Sequence, residues 1–318
     1  MTSDGRGRIM SMAPGGSRRP RIRRKFILDT DWWTDCDDAA AVRLLCNAHK
    51  QGTAELLGIN INACMPYSIP SLDVFTRDCG VEVPLGVDRD AVDFAGDPPY
   101  QEHLARSGEV RRRNEDVPCS LEFYRELLGR AAEASVEILS IGFPQDLAKL
   151  LETPDDLRLV SGKVRHLWIM AGKWDEEGGR EYNFRKNSLT RRSGAKLCAH
   201  WPTPITFLGW EVGHSVITGG NLPDGDLLKQ VMRDHGSASG RSSWDPMLVL
   251  LAIIGDPEQA GYRCVYGKAR VDEKDGSNYF TEIPGGPHRY VVKLREDSDY
   301  AAAIDAYLPK FAGPFFSP

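Results

Sequence analysis

The sequence predicts an α/β fold of the Rossmann-like kind, with an open, mostly parallel sheet and helices on both faces. Short apolar runs alternate with amphipathic helical segments from residue 25 onward, which is the pattern of repeated βαβ units. The strand-like runs are too uniformly apolar to have a face in water, as is typical of parallel strands covered on both sides. At 318 residues, 41% hydrophobic and 27% charged, the chain can bury a sizeable core. Because the sequence shows neither a repeat nor a linker, we expect one domain over 25–318.

The first elements follow in the order strand, helix, strand. A strand is predicted at 25–30 (KFILDT), a helix at 37–50 (DDAAAVRLLCNAHK) and a second strand at 54–63 (AELLGININA). A third strand, EVPLGV, precedes a long polar insertion at 88–118. Insertions of that length in a compact domain are usually lids or binding loops.

The same alternation continues in the second half of the chain. Three further apolar strands are predicted, at 135–142, 164–172 and 203–210. Beyond them, residues 261–280 and 288–294 alternate polar and apolar side chains around turn signals, which predicts a small antiparallel appendage near the C-terminus. A last helix is predicted near 297–309.

The charge of the chain is unevenly distributed. Residues 1–24 carry seven Arg and one Asp, a net +6, so the remainder carries −11 of the overall −5. This N-terminal segment is rich in Gly, Pro, Ser and Arg without an apolar period, which predicts a disordered tail; a basic arm that binds nucleic acid is the alternative. Since an acidic body is a poor platform for phosphate backbones, we expect small molecules or metal cations as ligands and no nucleic-acid partner.

Cysteine usage and hydropathy indicate the compartment. Seven cysteines without a CxxC pair fit neither a disulfide framework nor a zinc ribbon. No apolar run is long enough to cross a bilayer, and the N-terminal segment lacks the apolar stretch of a secretory signal. We therefore expect a soluble, cytoplasmic protein with reduced thiols and no membrane partner.

The most informative segment is the acidic loop, residues 29–38 (DTDWWTDCDD), whose five carboxylates are Asp29, Asp31, Asp35, Asp37 and Asp38. It follows the first strand, at the end of the strand where open α/β sheets bind ligands. Helix capping by Asp37 and Asp38 would account for two of the five. Packing the others into one short loop is unfavourable unless a hard cation such as Ca²⁺ or Mg²⁺ neutralises them. The loop therefore predicts a metal site.

Two enzyme families place Asp-x-Asp after a first strand. In haloacid-dehalogenase-type phosphatases Asp29 would be the nucleophile and Asp31 the acid or base. Those enzymes also need a later acidic pair, and here we find only a lone Gly255-Asp256. The run from Asp29 through Asp31 and Asp35 to Asp37-Asp38-Ala39 more closely resembles the inosine-uridine preferring nucleoside hydrolases, in a form with two extra loop residues.

Three later motifs, in the expected order, strengthen this resemblance. Residues 138–148 (ILSIGFPQDLA) resemble the family's strand and Gly-Pro-Leu-Thr-Asn turn, and Glu181-Tyr-Asn183 resembles its Glu-Phe-Asn element. Residues 242–246 (SSWDP) open an apolar helix, as the family's last calcium ligand does. Each motif alone is an ordinary turn, loop or helix start. Their order favours the hydrolase, over residues 25 to about 260.

The resemblance implies a calcium-dependent hydrolase that cleaves a ribonucleoside to free base and ribose. The implied calcium ligands are Asp31, Asp38, Asp245 and the backbone carbonyl of Gln145. Asp31 would also activate the attacking water, while Glu181 and Asn183 would hold the ribose hydroxyls and hydroxymethyl group. Asp35 and Asp37 are both candidates for substrate contact and compete for the second ligand position of the loop.

The chain departs from the family at the leaving-group acid. Many members have His immediately before the last calcium ligand, where this chain has Trp244, and an indole has no titratable proton near neutrality. Trp244 would instead stack on a nucleobase, or the acid would come from His235 or His103. Trp33 stands where the family usually has Gly, and would be strained if that backbone requires a positive φ.

The family's Asn-bearing loop is not evident, because Asn60 and Asn62 fall inside the second strand. Three hypotheses for the function stay open. The first is an N-riboside hydrolase with altered base specificity, the second a ribose- or nucleoside-binding protein without turnover, and the third a phosphatase. The presence of Asp31 favours the enzyme, because a binding protein would need this residue only as a metal ligand and not as a base that activates water. The sequence leaves the preferred base open. Family members are commonly dimers or tetramers, which makes a homo-oligomer an expectation here.

Overall fold

Strands and helices alternate through residues 23–311, the part of the chain that the computed structural model describes. The strands are β1 (Arg24–Thr30), β2 (Ala54–Ile61), β3 (Leu85–Val87), β4 (Val136–Ser140), β5 (Val164–Met170), β6 (Gly179–Arg180), β7 (Ile205–Leu208), β8 (Ile217–Thr218), β9 (Arg241–Ser242), β10 (Tyr262–Val271), β11 (Ser277–Glu282) and β12 (His288–Lys293). The helices are α1 (Asp37–Lys50), α2 (Ser68–Asp78), α3 (Gln101–Arg106), α4 (Ser120–Arg130), α5 (Gln145–Lys149), α6 (Pro154–Lys163), α7 (Tyr182–Arg185), α8 (Ser188–His200), α9 (Trp210–Gly213), α10 (Leu227–Asp234), α11 (Trp244–Ile254) and α12 (Asp297–Asp305).

A mostly parallel sheet forms the centre of the fold. Its ten strands lie in the order β3-β2-β1-β4-β5-β7-β12-β10-β11-β6, and the pairings from β3 to β12 are all parallel. The side chains of Phe26, Ile27 and Leu28 in β1 are fully buried, because both faces of this strand are covered. The predicted open, mostly parallel sheet is confirmed.

The helices divide between the two faces of the sheet, and alternate residues of β1 point to different sides, as the period of two requires. Phe26 and Leu28 belong to a core shared with α1, α2 and α11. Ile27 belongs to a second core shared with α4 and α8. This packing holds the starts of α1 and α11 together, and both starts carry predicted site residues.

The predicted antiparallel segment is confirmed and is continuous with the main sheet. β10 pairs antiparallel with β11 and with β12, while β12 pairs parallel with β7. The two-residue strand β6 ends this edge by pairing with β11. A separate two-stranded antiparallel sheet is formed by β8 and β9, just before α11.

The insertion after β3 contains more structure than its polar composition indicates. It includes α3 and a 3₁₀ helix at Asn114–Asp116. Two of its aromatic residues pack on the acidic loop: Tyr100 lies edge-on to Trp32 and Phe94 edge-on to Trp33, each pair with ring centroids 5.6 Å apart. Burial of these rings therefore holds the insertion over the loop.

The predicted tail, residues 1–24, lies almost wholly outside the described residues. Residues 1–22 are outside the described range, whereas Arg24 begins β1 and its Nε donates to Glu137 Oε1 at 2.8 Å. At the other end, α12 ends at Asp305, short of the predicted residue 309. Within residues 23–311 no helix has the length and apolarity needed to cross a bilayer.

Candidate active site

The acidic loop lies at the carboxyl end of β1, between the ends of its parallel neighbours β2 and β4. Asp29 and Thr30 are the last residues of β1, and Asp37 is the first residue of α1. Since parallel strands end at a common edge of the sheet, the segments that follow β2, β4 and β5 also meet at this edge. The loop therefore occupies the ligand-binding edge of the fold.

Three carboxylates converge where α1 and α11 begin, and we call them the triad: Asp37, Asp38 and Asp245. One carboxylate oxygen of each lies within 4.8 Å of the others, and all three residues are buried. The backbone N–H of Asp245 donates to Asp37 Oδ2 at 3.2 Å. Burial, followed by the charges of neighbouring aspartates, raises the pKa of each well above its ordinary value. An all-oxygen, negatively charged donor set of this kind fits a hard divalent cation.

Asp31 lies next to the triad and is half-buried. Burial raises its pKa to about 7, and the charges of Asp35 and Asp37 add to the shift. The backbone of Gly142, which follows β4, approaches the loop so closely that a Cβ there would lie 2.3 Å from the Asp31 backbone N. Glycine at this position therefore allows the β4 turn to support Asp31 directly.

The backbone of the loop is left-handed at Trp32, with φ +43°. The strain expected at Trp33, where the resembling family usually has Gly, therefore falls one residue earlier. Several contacts hold Trp32 in this conformation. Its N–H donates to Thr30 Oγ1 at 3.0 Å and to Asp38 Oδ1 at 3.2 Å, and its fully buried indole donates to Ser71 Oγ at 2.8 Å. The buried ring and these hydrogen bonds offset the cost of a positive φ in a bulky residue.

Asp35 is not a member of the triad and pairs with a partner that the sequence did not reveal. Arg241 of β9 donates to it through Nε at 2.9 Å and Nη2 at 2.5 Å. Burial acts to raise the pKa of Asp35, but the hydrogen bonds and charge of Arg241 outweigh it, so the pKa lies below its ordinary value. Of the two competing loop residues, Asp37 is the one that lies in the triad.

Asp29, at the end of β1, anchors the start of the acidic loop through buried hydrogen bonds. Its carboxylate is fully buried and accepts hydrogen bonds from Tyr124 Oη at 2.5 Å, from Asn60 Nδ2 at 2.9 Å and from Asn62 Nδ2. Burial raises the pKa of Asp29 to about 6. The asparagines of the second strand thus serve as donors to Asp29.

Gln145 is the first residue of α5 and is buried. Its Nε2 donates to the backbone carbonyl of Asn62 at 2.5 Å. Its Oε1 is buried without a hydrogen-bond partner among residues 23–311. The side chain therefore adds an unpaired oxygen acceptor to a residue that the sequence assigned as a ligand through its backbone.

Glu181 and Asn183 lie at the carboxyl end of β5 and are buried. Glu181 caps α7, accepting from the backbone N–H of Asn183 at 2.7 Å and of Gly172 at 3.1 Å. Burial raises the pKa of Glu181 to about 7. Asn183 Nδ2 donates to the carbonyl of Met170 at 3.0 Å. Both side chains are thus fixed by backbone contacts.

The residues considered for leaving-group chemistry separate in space. Trp244 is half-buried, and its Nε1 donates to the carbonyl of Trp210 at 2.8 Å. His235 Nε2 lies 3.8 Å from Asp35 Oδ1, at the border of the acidic loop. His103 contacts Asp234 at 2.8 Å on the surface, with 61% of its side chain exposed. The structure brings His235, and not His103, to the acidic loop.

An aromatic cover on the acidic loop was not evident from the sequence. Trp33 packs with Phe94 of the insertion and with Phe143, which follows Gly142, in a small buried cluster. Phe94 and Phe143 stack with centroids 4.5 Å apart. Lys186 Nζ lies 4.5 Å from the Trp33 ring centroid. The paired tryptophans of the loop were the available signal, but their partners are distant in sequence.

Solved structures that share this fold include the following three proteins. The chain is similar to an inosine-guanosine nucleoside hydrolase (IG-NH), with 16% identity and a TM-score of 0.66 over 92% of this chain and 100% of that chain. It is similar to the effector protein XOO4466, with 14% identity and a TM-score of 0.62 over 91% and 95% of the two chains. It is also similar to the type III effector protein XopQ, complexed with adenosine diphosphate ribose, with 13% identity and a TM-score of 0.62 over 91% and 96%.

These likenesses establish the fold: the chain has the nucleoside hydrolase fold. No family model and no curated protein matches its sequence. The expectation of this fold, drawn from the acidic loop, is confirmed. The narrower assignment to inosine-uridine preferring enzymes stays a prediction, because identities of 13 to 16% do not reach to substrate preference.

Proposed function

We propose that the protein is a calcium-dependent hydrolase that cleaves the N-glycosidic bond of an N-riboside, such as a nucleoside, to free base and ribose. The observation that carries this proposal is the buried triad, whose oxygens lie within 4.8 Å of one another at the ligand-binding edge of the sheet. Three buried carboxylates repel one another strongly unless a cation neutralises them. The fold of the inosine-guanosine nucleoside hydrolase supports the reaction class.

The proposed metal ligands are those that the sequence predicted, together with one further residue of the triad. They are Asp31, Asp38, Asp245 and the backbone carbonyl of Gln145, with Asp37 as a further carboxylate beside them. Calcium takes six to eight oxygen ligands, many of them carboxylates and carbonyls. When bound, it would neutralise the carboxylates and act as a Lewis acid toward the ribose hydroxyls.

The bond cleavage itself is assigned to the side chains of the loop. The bond from C1′ to the base nitrogen breaks with its electron pair going to the base, and a water oxygen bonds to C1′. Asp31, half-buried and therefore within reach of water, accepts the proton of that water. The surrounding carboxylates favour the positive charge that develops on the ribose in an oxocarbenium-like transition state.

The ribose is assigned to Glu181 and Asn183, as the resemblance implies. Their hydrogen bonds to Gly172 and Met170 fix both side chains before substrate arrives. Fixed side chains lower the entropy cost of orienting the sugar.

The departing base needs a proton, and His235 is the proposed source. It borders the acidic loop at 3.8 Å from Asp35 Oδ1. Burial lowers the pKa of its imidazole below the ordinary value, and the charge of Asp35 acts against this shift. Trp244, next to Asp245, is assigned to stack on the base, because its half-exposed ring offers a face and no acidic proton.

A binding protein without turnover is the second candidate. XopQ, of the same fold, is known in a complex with adenosine diphosphate ribose, and this supports a ligand that contains ribose. The phosphatase hypothesis is disfavoured, because its nucleophile would be Asp29, a fully buried carboxylate that already accepts from Tyr124 and Asn60.

Release of reducing ribose from purine and pyrimidine nucleosides, with calcium and with a chelator, tests the proposal. Wild type should release ribose only with calcium. The Asp31→Asn variant should release ribose at least 100-fold more slowly, and it should still bind the metal, with lower affinity. Asp155→Asn, at an exposed position on α6, is the matched control and should behave as wild type. No release from any nucleoside or from its 5′-monophosphate, with calcium-dependent binding of ribose, would identify the binding protein.

A further inference from the structure

A basic segment, residues 185–192 (RKNSLTRR), directly follows the proposed ribose contacts Glu181 and Asn183 in the chain. Its four cations are Arg185, Lys186, Arg191 and Arg192, and it contains no acid. Among the residues that the structure describes, no carboxylate oxygen lies within 4.0 Å of their charged nitrogens. Uncompensated positive charge next to a cluster of carboxylates indicates an anionic ligand.

Lys186 is the member of this segment that contacts the site. Its Nζ lies 4.5 Å from the ring centroid of Trp33 and 5.1 Å from that of Tyr182, and it donates to Tyr182 Oη at 2.8 Å. Trp33 belongs to the acidic loop. The nearby carboxylate of Asp93 accepts from Asn187 Nδ2 at 3.4 Å and is not paired with Lys186. Aromatic faces therefore hold the ammonium group in place and leave its charge available for an anion.

The position of Lys186 relative to the proposed ribose contacts defines where that anion would lie. Under the proposed function, Asn183 holds the ribose and its 5′-hydroxymethyl group. Lys186 follows α7 directly, and its N–H donates to the carbonyl of Tyr182 at 3.0 Å, so the chain is still helical there. Three residues later in a helix is about 4.5 Å further along the axis. Lys186 therefore lies about one helical turn beyond the residue that would hold the 5′-hydroxymethyl group.

We infer that Lys186, assisted by the charge of the basic segment, binds a 5′-phosphate, so that the preferred substrate is a 5′-phosphorylated N-riboside. This inference rests on the proposed function for the orientation of the ribose. A lysine ammonium is a common phosphate-binding group, as a point charge with three donors. The phosphate could be that of a mononucleotide or one end of a diphosphate bridge, since both present the same oxygens to Lys186.

Equilibrium binding of ribose 5-phosphate and of ribose, measured by calorimetry with calcium present, tests the subsite without any turnover. Ribose 5-phosphate should bind wild type at least tenfold more tightly than ribose. Lys186→Met keeps the length of the side chain and should remove most of this advantage, whereas Lys186→Arg should keep it. Lys163→Met is the matched control, since Lys163 pairs with Glu133 at the opposite end of β5. Equal binding of the two sugars, or an unchanged advantage in Lys186→Met, would overturn the inference.

Turnover then separates the two sources of phosphate. The kcat/KM values for a nucleoside, its 5′-monophosphate and a diphosphate-bridged dinucleotide should favour a phosphorylated substrate, and the better of the two identifies the source. Lys186→Met should lower the ratio of phosphorylated to plain substrate about tenfold. Hydrolysis of nucleosides without any advantage for phosphate would refute the subsite and keep the hydrolase. Tight, Lys186-dependent binding of ribose 5-phosphate without release of base would support the subsite and refute the hydrolase.

Discussion

Arg241 and Asp35 form a bidentate ion pair beside the triad, with Nε 2.9 Å from Oδ1 and Nη2 2.5 Å from Oδ2. The guanidinium also lies 5.4 Å from the ring centroid of Trp244. The pair joins β9 to the acidic loop, two segments that are 206 positions apart in sequence. Because Asp35 is neutralised by the protein itself, the negative charge that a cation would meet is concentrated on Asp37 and its neighbours.

Removing this pair should weaken the calcium-free protein and increase its response to calcium. Arg241→Gln leaves Asp35 as an unpaired, partly buried carboxylate, which costs about 1–2 kcal/mol of unfolding free energy. Thermal unfolding in a chelator should show the loss, and added calcium should recover more stability than in wild type. Arg158→Gln, which breaks the exposed pair with Asp155, should change little. Equal loss of Tm in both variants would contradict this role for Arg241.

Local pattern was enough to predict the elements that position the site. The apolar run that ends at Asp29 becomes β1, and the amphipathic run that starts at Asp37 becomes α1. Both follow from periodicity and from burial on two faces, which adjacent residues reveal. The family resemblance implied that Asp38 and Asp245 would meet and left the choice between Asp35 and Asp37 open; the structure brings Asp37 together with Asp38 and Asp245.

Contacts between distant side chains could not be predicted in the same way. Arg241 gives no signal that it will pair with Asp35 instead of facing water, and a lysine such as Lys186 gives none that it will lie on Trp33. The positive φ at Trp32 also contradicts local preference and depends on hydrogen bonds formed only in the folded loop. Such features arise from tertiary packing, which overrides the preferences of single residues.

Asp245→Asn should have opposite effects in the presence and absence of calcium. Without the metal, loss of one of three mutually repelling buried charges should raise the unfolding free energy by about 1 kcal/mol. With calcium, the increase in Tm expected for wild type should be absent and ribose release should fall at least 100-fold, because a ligand is lost. Thermal unfolding and calorimetric titration of calcium measure both effects. A variant that keeps the wild-type calcium response would show that the triad is not the metal site.

Gly142→Ala should impair the site more than the fold. The new Cβ would lie 2.3 Å from the Asp31 backbone N and 2.9 Å from Asn62 Oδ1, so the loop must shift to accept it. A shift of this kind should lower ribose release about 10- to 100-fold, with a stability loss of about 1–3 kcal/mol. Gly129→Ala is the control, since its Cβ meets no atom within 4 Å in α4 and alanine favours the helix by up to about 1 kcal/mol. Full activity in Gly142→Ala would show that the position of Asp31 does not depend on this contact.

Glu137→Gln should give a stability loss that depends on pH. Glu137 is fully buried in β4, where Arg24 Nε donates to Oε1 at 2.8 Å and Trp168 Nε1 donates to Oε2 at 2.7 Å. Burial acts to raise the pKa of Glu137, but Arg24 and the other donors outweigh it and hold the pKa below its ordinary value. Stability from this group is therefore complete above the unfolded pKa of about 4.3 and is lost as the pH falls through the lower folded value.

The measurement is chemical unfolding of wild type and Glu137→Gln at a series of pH values between 7 and 3. At pH 7 the variant should be less stable by about 2 kcal/mol, a value below that of a fully buried pair because Arg24 is partly exposed. The difference in unfolding free energy should shrink below about pH 4. Titration of the triad does not contribute to this difference, because both proteins carry the same three carboxylates. Glu133→Gln, at the exposed pair with Lys163, should stay near wild type throughout. A loss that is the same at every pH would mean that packing of the side chain, and not its charge, stabilises β4.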